Sequence, residues 1–179
     1  MEGRPVAVLD LASYIVDVPD FPKQGIVFKD ITPLLADPRA LAAAVRRIAR
    51  RYRDARIDLV ASAEARGFLF GPAVAIALGA GFVPIRKPGK LPRATREAAY
   101  QLEYGTDRIQ MHADAVQPGQ RVLLVDDVIA TGGTMEAAAK LIEGLGGTVA
   151  GMAFLIELAF LKPRERLAGR DIFALITYR

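Results

Sequence analysis

The apolar positions of this chain change their period once. Between residues 41 and 52 they recur at intervals of four, three and four (Leu41, Val45, Ile48, Tyr52), which predicts one amphipathic helix. Arg46, Arg47, Arg50, Arg51, Arg53 and Arg56 then fall on its solvated faces. From about residue 57 the pattern turns into short apolar runs separated by helical stretches. Residues 57–62 read as a strand, 68–78 as a helix and 82–85 as a strand. Residues 86–104 are polar, carry glycine and proline, and read as irregular, with a further short strand at 108–112. Residues 122–125 form an apolar run, and Met135, Ala138, Ala139, Ile142 and Leu145 line one face of the helix after it. Residues 149–156 and 172–176 are almost wholly apolar strands. Apolar runs without alternation suit parallel strands covered on both faces. Strands separated by helices predict an α/β fold with a mostly parallel central sheet flanked by helices.

The 179 residues are expected to form a single domain. About residues 1–35 do not follow the alternation and are expected to form a small N-terminal hood. The long polar connection, about 86–105, is expected to be a mobile lid loop, because connections of that length in compact domains are often functional.

Composition narrows the chemistry. Apolar residues make up 52% and charged residues 25%, as in an ordinary globular protein. The absence of cysteine removes disulfides, thiolate metal sites and thiol nucleophiles, and it accords with a reducing compartment. His112 is the one histidine, so no His-rich metal site is possible. The net charge of +4 permits an anionic ligand without specifying nucleic acid, and the arginines read as a solvated helix face. Residues 67–85 lack charge over 19 positions, but four glycines and two prolines break them. They parse as a helix, a break and a strand, not as a membrane span.

The densest chemistry lies in residues 122–134 (VLLVDDVIATGGT). In an open parallel sheet, ligands bind beyond the carboxyl ends of the strands. Here a buried strand is expected to bring Asp126 and Asp127 to its tip. A turn of small residues, Ala130, Thr131, Gly132, Gly133 and Thr134, then leads into a helix whose N-terminus favours phosphate. Two acids beside a phosphate cradle repel the anion unless they bind something else. A ribose diol or a divalent cation resolves the conflict. The local chemistry therefore points to a ribose phosphate with Mg²⁺. Neither G-x-x-x-x-G-K-[ST] nor a strand-following G-x-G-x-x-G occurs, which argues against the common ATPase and dinucleotide sites.

This run resembles the phosphoribosyl pyrophosphate signature of the type I phosphoribosyltransferases. Four further segments extend the resemblance to the adenine-specific family, from about residue 18 onward. They are 21–31 (FPKQGIVFKDI), 64–72 (EARGFLFGP), 85–92 (IRKPGKLP) and 100–105 (YQLEYG). The resemblance implies the type I fold and transfer of a phosphoribosyl group to adenine, giving AMP and pyrophosphate, with Mg²⁺ carried by phosphoribosyl pyrophosphate and no metal ligand on the protein. It implies Asp126 and Asp127 on the ribose hydroxyls and 130–134 on the 5′-phosphate. Arg66, Arg86, Lys87, Lys90 and Tyr104 would hold the pyrophosphate. Backbone groups of Val27 and Lys29 would read the adenine edge, with Phe28 and Leu158 on the ring. Arg66, Arg86 and Glu103 are the expected catalytic groups, Glu103 for the purine proton. A non-proline cis peptide near Glu64-Ala65, a homodimer and a cytoplasmic location are implied as well. A 6-oxopurine transferase is the rival enzyme, opposed by segment 21–31. A non-catalytic regulator sensing phosphoribosyl pyrophosphate is the third reading. It would usually carry a DNA-binding extension, and nothing of domain size precedes Phe21.

Overall fold

A computed structural model describes residues 9–101 and 106–179, with the backbone alone at Gln101. It divides into two compact units, the described residues up to Ala44 and Val45–Arg179. In the first, β1 (Val16–Pro19) pairs antiparallel with β2 (Val27–Asp30), with Asp17 opposite Lys29 and Val18 opposite Phe28. Lys29 Nζ reaches both carboxylate oxygens of Asp17 at 2.7 Å, and Phe21 meets Phe28 edge to face at 5.2 Å. A short helix, α1 (Thr32–Ala36), follows, with Asp30 Oδ1 accepting the Thr32 N–H at 2.9 Å. Asp37 Oδ1 then accepts the N–H groups of Arg39 and Ala40, both at 2.8 Å, and so caps α2 (Pro38–Tyr52). Ile48 and Tyr52 of α2 are buried, and Arg46, Arg50 and Arg53 are exposed, as the four-three-four spacing requires.

The second unit is built on five parallel strands in the order β4-β3-β7-β8-β9. They are β3 (Leu59–Ala63), β4 (Gly81–Ile85), β7 (Arg121–Ile129), β8 (Thr148–Leu158) and β9 (Ile172–Tyr178). Each central strand is buried on both faces: Val122, Leu123, Leu124 and Val125 are all fully covered. One face carries α4 (Gly133–Gly144), whose Met135, Ala138 and Ile142 join Val122, Leu124 and Phe154 in one apolar cluster. The helix α3 (Gly71–Leu78) packs on β3, β4 and β7, and a 3-10 turn at Arg66–Leu69 precedes it. The expected helix at 68–78 is thus split, because Gly71 and Pro72 start a new helix where the tighter turn ends.

Two expectations need correction. Residues 86–104 are not irregular throughout. β5 (Thr95–Gln101) pairs antiparallel with β6 (Thr106–His112), and Ala98 and Tyr100 pack against the apolar cluster. The alternation of Ala98 and Tyr100 with Glu97 and Ala99 is a strand period that the surrounding polar residues concealed. β7 also runs past the two acids to Ile129, so Asp126 and Asp127 lie inside a strand and not beyond its tip. They stay paired with β8, Asp126 opposite Phe154, while the pairing of β7 with β3 ends at Ala61 and Leu124.

Candidate active site

The strand order reverses direction between β3 and β7: the chain winds from β3 outward to β4, then crosses back to β7 and on to β8 and β9. Loops leaving the carboxyl ends of these two strands separate, and a crevice opens between them. A cavity of about 230 Å³ lies there, lined by Glu64, Ala65 and Arg66 after β3, Asp126 and Asp127 of β7, Lys87, Tyr100 and Thr134 among others. A second cavity of about 100 Å³ is lined by Ala130, Thr131, Gly132 and Gly133, and shares Asp126, Val128 and Thr134 with the first. The two adjoin at these shared residues, and together their linings run as a trough from the N-terminus of α4 to Lys87, two residues past the end of β4.

At the α4 end the chain is shaped for an anion. Gly132 has φ +84°, a left-handed conformation that side chains disfavour, and a Cβ there would come within 3.3 Å of Leu167 and 3.4 Å of the Pro163 carbonyl. No side chain caps the helix, so its first N–H groups face the trough with the positive end of the helix dipole.

In the middle sit the acids. Asp127 is 3% exposed, and its Oδ2 lies 2.7 Å from Arg66 Nε. Asp126 Oδ1 accepts the Asp127 N–H at 2.9 Å. Burial, and then the charge of Asp127, raise the Asp126 carboxyl well above the usual carboxylate range, which lessens the negative charge facing a phosphate. Gly67 permits this packing: a Cβ there would stand 2.9 Å from Asp126 Oδ1.

At the far end the cations are held by carboxylates. The Glu64–Ala65 peptide is cis. Glu64, next to the end of β4, accepts from Arg86 Nη2 at 3.0 Å and Nε at 3.3 Å, and from the Lys87 backbone N–H. Burial raises the Glu64 carboxyl, but the Lys87 amide and the Arg86 guanidinium outweigh it and hold it below the usual range. Lys87 Nζ contacts Tyr100 and Asp107.

The structure thus brings Arg66, Lys87, Asp126, Asp127 and residues 130–134 onto one trough. Arg86 and Lys90 are not among the residues lining either cavity; Arg86 reaches it only through Glu64. Val27, Phe28 and Lys29 belong to β2 in the first unit, and Leu158 ends β8 in the second. Val27 and Lys29, two apart on a strand, turn their N–H and C=O groups to the same edge. Glu103 and Tyr104 lie outside the described residues. Sequence reasoning missed Tyr100, Asp107 and the grip of Glu64 on Arg86, along with an ion pair between a buried carboxylate and an exposed arginine behind the turn at 130–134. There Glu157, 2% exposed, is held by Arg164 Nε at 2.7 Å and Nη2 at 2.8 Å. Arg164 lies in α5 (Pro163–Arg166), the segment packed against Gly132. Tyr100 opens the family-like segment 100–105, and the weak period-2 pattern at 95–101 places it on the inward face of a strand.

Among the described residues no three His, Asp or Glu side chains gather to hold a metal, and no helix is long and apolar enough to cross a membrane. The hard carboxylate oxygens of Asp126 and Asp127, beside Arg66 and Lys87, fit a substrate that carries its own Mg²⁺.

Comparison with known proteins agrees with this geometry. The phosphoribosyl transferase domain family matches residues 34–171. The chain is 58% identical over 170 residues to the adenine phosphoribosyltransferase of Desulfitobacterium hafniense, covering 95% of this chain and 98% of the relative. It is similar to the crystal structure of the Thermoanaerobacter pseudethanolicus adenine phosphoribosyltransferase, with a TM-score of 0.92 and 53% identity over 94% of this chain and 98% of that one. The Saccharomyces cerevisiae adenine phosphoribosyltransferase, solved with an imino-altritol bisphosphate and adenine, matches with a TM-score of 0.88 and 39% identity over 92% of this chain and 96% of that one.

Proposed function

The chain belongs to the adenine phosphoribosyltransferases of the phosphoribosyl transferase domain family, and from that premise we infer how its residues carry out the reaction. The reaction serves purine salvage: the bond from ribose C1 to pyrophosphate breaks, the bond from C1 to adenine N9 forms, and AMP and pyrophosphate leave. An oxocarbenium-like sugar lies between the two, so the protein's work is to steady a leaving polyanion and to exclude water, not to supply a nucleophile.

Asp127, turned toward Arg66, and Asp126 take the ribose hydroxyls. The turn 130–134 and the uncapped N-terminus of α4 take the 5′-phosphate. Arg66, Lys87, Arg86 and Lys90 neutralise the pyrophosphate, together with Tyr104. For Arg66 this means leaving Asp127, and for Arg86 leaving Glu64, so each protein ion pair is exchanged for one with substrate. Mg²⁺ carried by the substrate would supply further positive charge beside Arg66 and Lys87. Backbone groups of Val27 and Lys29 read adenine, Phe28 and Leu158 pack on its ring, and Glu103 accepts the N9 proton. That the Lys29 side chain is committed to Asp17 supports a main-chain role for this residue. A homodimer and a cytoplasmic location belong to the same proposal; Ile76, 82% exposed on α3, supports a covered face in the assembly. Light scattering after size exclusion reads the dimer directly.

The observation that carries the reading is the pair Asp126-Asp127 running into the left-handed Gly132 and the open helix end. Its test is the double variant Asp126→Asn, Asp127→Asn. Charge-assisted hydrogen bonds to hydroxyls are worth about 1.5–3 kcal/mol, so the change at Asp127 should lower kcat/KM for phosphoribosyl pyrophosphate roughly 10–100-fold, and the change at Asp126, whose carboxyl is raised, should lower it less. A folded double variant with wild-type kcat/KM would remove the ribose assignment.

A further inference from the structure

Lys87 is held more closely than a solvated lysine needs to be. It follows Arg86, whose backbone N–H and C=O pair with Gln110 of β6 at 2.9 and 2.7 Å, so the hairpin is joined to the end of β4 at this point. The Lys87 amide donates to Glu64. Its Nζ donates to the Tyr100 hydroxyl at 3.0 Å and to Asp107 Oδ2, and the Tyr100 hydroxyl donates to the same Asp107 oxygen at 2.9 Å. Tyr100 and Asp107 lie directly opposite each other on β5 and β6, so the hairpin register alone makes this acceptor pair. Lys87 and Tyr100 line the larger cavity and Asp107 does not, so its carboxylate holds the ammonium from outside the cavity lining.

Given the reading of Lys87 as a pyrophosphate ligand, we infer that Asp107 and Tyr100 are positioning residues that fix its ammonium at the cavity wall. An ammonium has three N–H groups. Two are used on the hairpin, and the third is for a phosphate oxygen. A free lysine would lose much rotamer freedom on reaching that oxygen, and here the loss is met before substrate arrives. Burial lowers the Lys87 ammonium, but Asp107 and Tyr100 outweigh it and keep the group above the usual lysine range, hence charged. A carboxylate outside the cavity lining does not compete for the cavity side of the lysine, so the arrangement strengthens pyrophosphate binding and leaves adenine binding alone.

The test is a double-mutant cycle read by the inhibition constant of pyrophosphate, the KM of phosphoribosyl pyrophosphate and the KM of adenine. Lys87→Ala should weaken pyrophosphate by roughly tenfold or more, the scale of one charge-assisted contact. Asp107→Asn should weaken pyrophosphate and phosphoribosyl pyrophosphate by roughly tenfold, with adenine KM unchanged, and should add nothing in the Lys87→Ala background. Tyr100→Phe keeps the ring in the core and should give a smaller loss of the same pattern, so the claim stays testable if the Asn variant folds poorly. Wild-type constants for Asp107→Asn and Tyr100→Phe would overturn the inference. So would an Asp107→Asn effect that persists undiminished without Lys87 or that spreads to adenine, since that is a hairpin-stability role. If Lys87→Ala itself leaves pyrophosphate inhibition unchanged, the assignment of Lys87 to pyrophosphate fails first, and the two failures are told apart.

Discussion

Arg66 shows how one side chain can serve two partners. Its Nε sits 2.7 Å from the buried Asp127 carboxylate, and the proposed reaction needs the same guanidinium on the departing pyrophosphate. Arg66→Ala should therefore raise the KM of phosphoribosyl pyrophosphate and lower kcat on the order of 10²-fold, the usual effect of removing one transition-state charge donor. Adenine affinity, read by equilibrium binding, should not change. Loss of adenine affinity with kcat intact would assign Arg66 to the wrong ligand. At this scale the sequence was most legible where one contiguous run lines the crevice, as in 126–134. It was least legible where two remote carboxylates choose their cations. Glu64 lies two residues from Arg66, yet it grips Arg86, because the parallel register sets Ala63 beside Ile85. Nothing in local spacing encodes that choice.

Elements failed to declare themselves for a different reason. β5 was hidden because its inward apolar residues, Ala98 and Tyr100, are too few to mark a stripe, with Arg96 on the same face and Ala99 on the opposite one. The turn between β7 and α4, by contrast, was plain from its small residues, but what backs it was not. α5 is only four residues long and owes its place to Arg164, which bridges Glu157 of β8 and the Ile172 carbonyl at the start of β9. Arg164→Ala strands a carboxylate that is 3% exposed at its side chain. Leaving a buried acceptor without its partner costs about 1–3 kcal/mol. For a chain of this size the midpoint of thermal unfolding should fall by about 3–10 °C. A calorimetric midpoint within a degree of wild type would mean that the pair contributes nothing, as exposed ion pairs often do. The phosphate turn should feel the same change, with a higher KM for phosphoribosyl pyrophosphate, because Pro163 and Leu167 pack against Gly132.

For the whole molecule, unbroken apolar runs at 122–125 and 149–156 were enough to predict a parallel sheet, since only strands covered on both faces read that way. The strand order was not legible, because it depends on which strands pair across long crossovers. That order matters: it opens the crevice between β3 and β7 where Arg66 and the two acids meet. In the proposed reading the trough takes phosphoribosyl pyrophosphate and β2 chooses the base. Adenine offers a donor at its 6-amino group and an acceptor at N1; hypoxanthine reverses both. Main-chain groups of Val27 and Lys29 have fixed directions, so an edge that satisfies adenine leaves two like groups facing each other with an oxopurine. Such a mismatch supports discrimination of roughly 10³-fold or more, beyond what shape alone achieves. Lys29→Ala should change this selectivity little, whereas Lys29→Pro removes the donor and should abolish it. The most direct measurement is kcat/KM for adenine, hypoxanthine and guanine on the wild-type protein. Adenine should be preferred by roughly 10³-fold or more. An oxopurine used within about tenfold of adenine would contradict the assignment of β2 as the base-reading edge and the account of selectivity built on it.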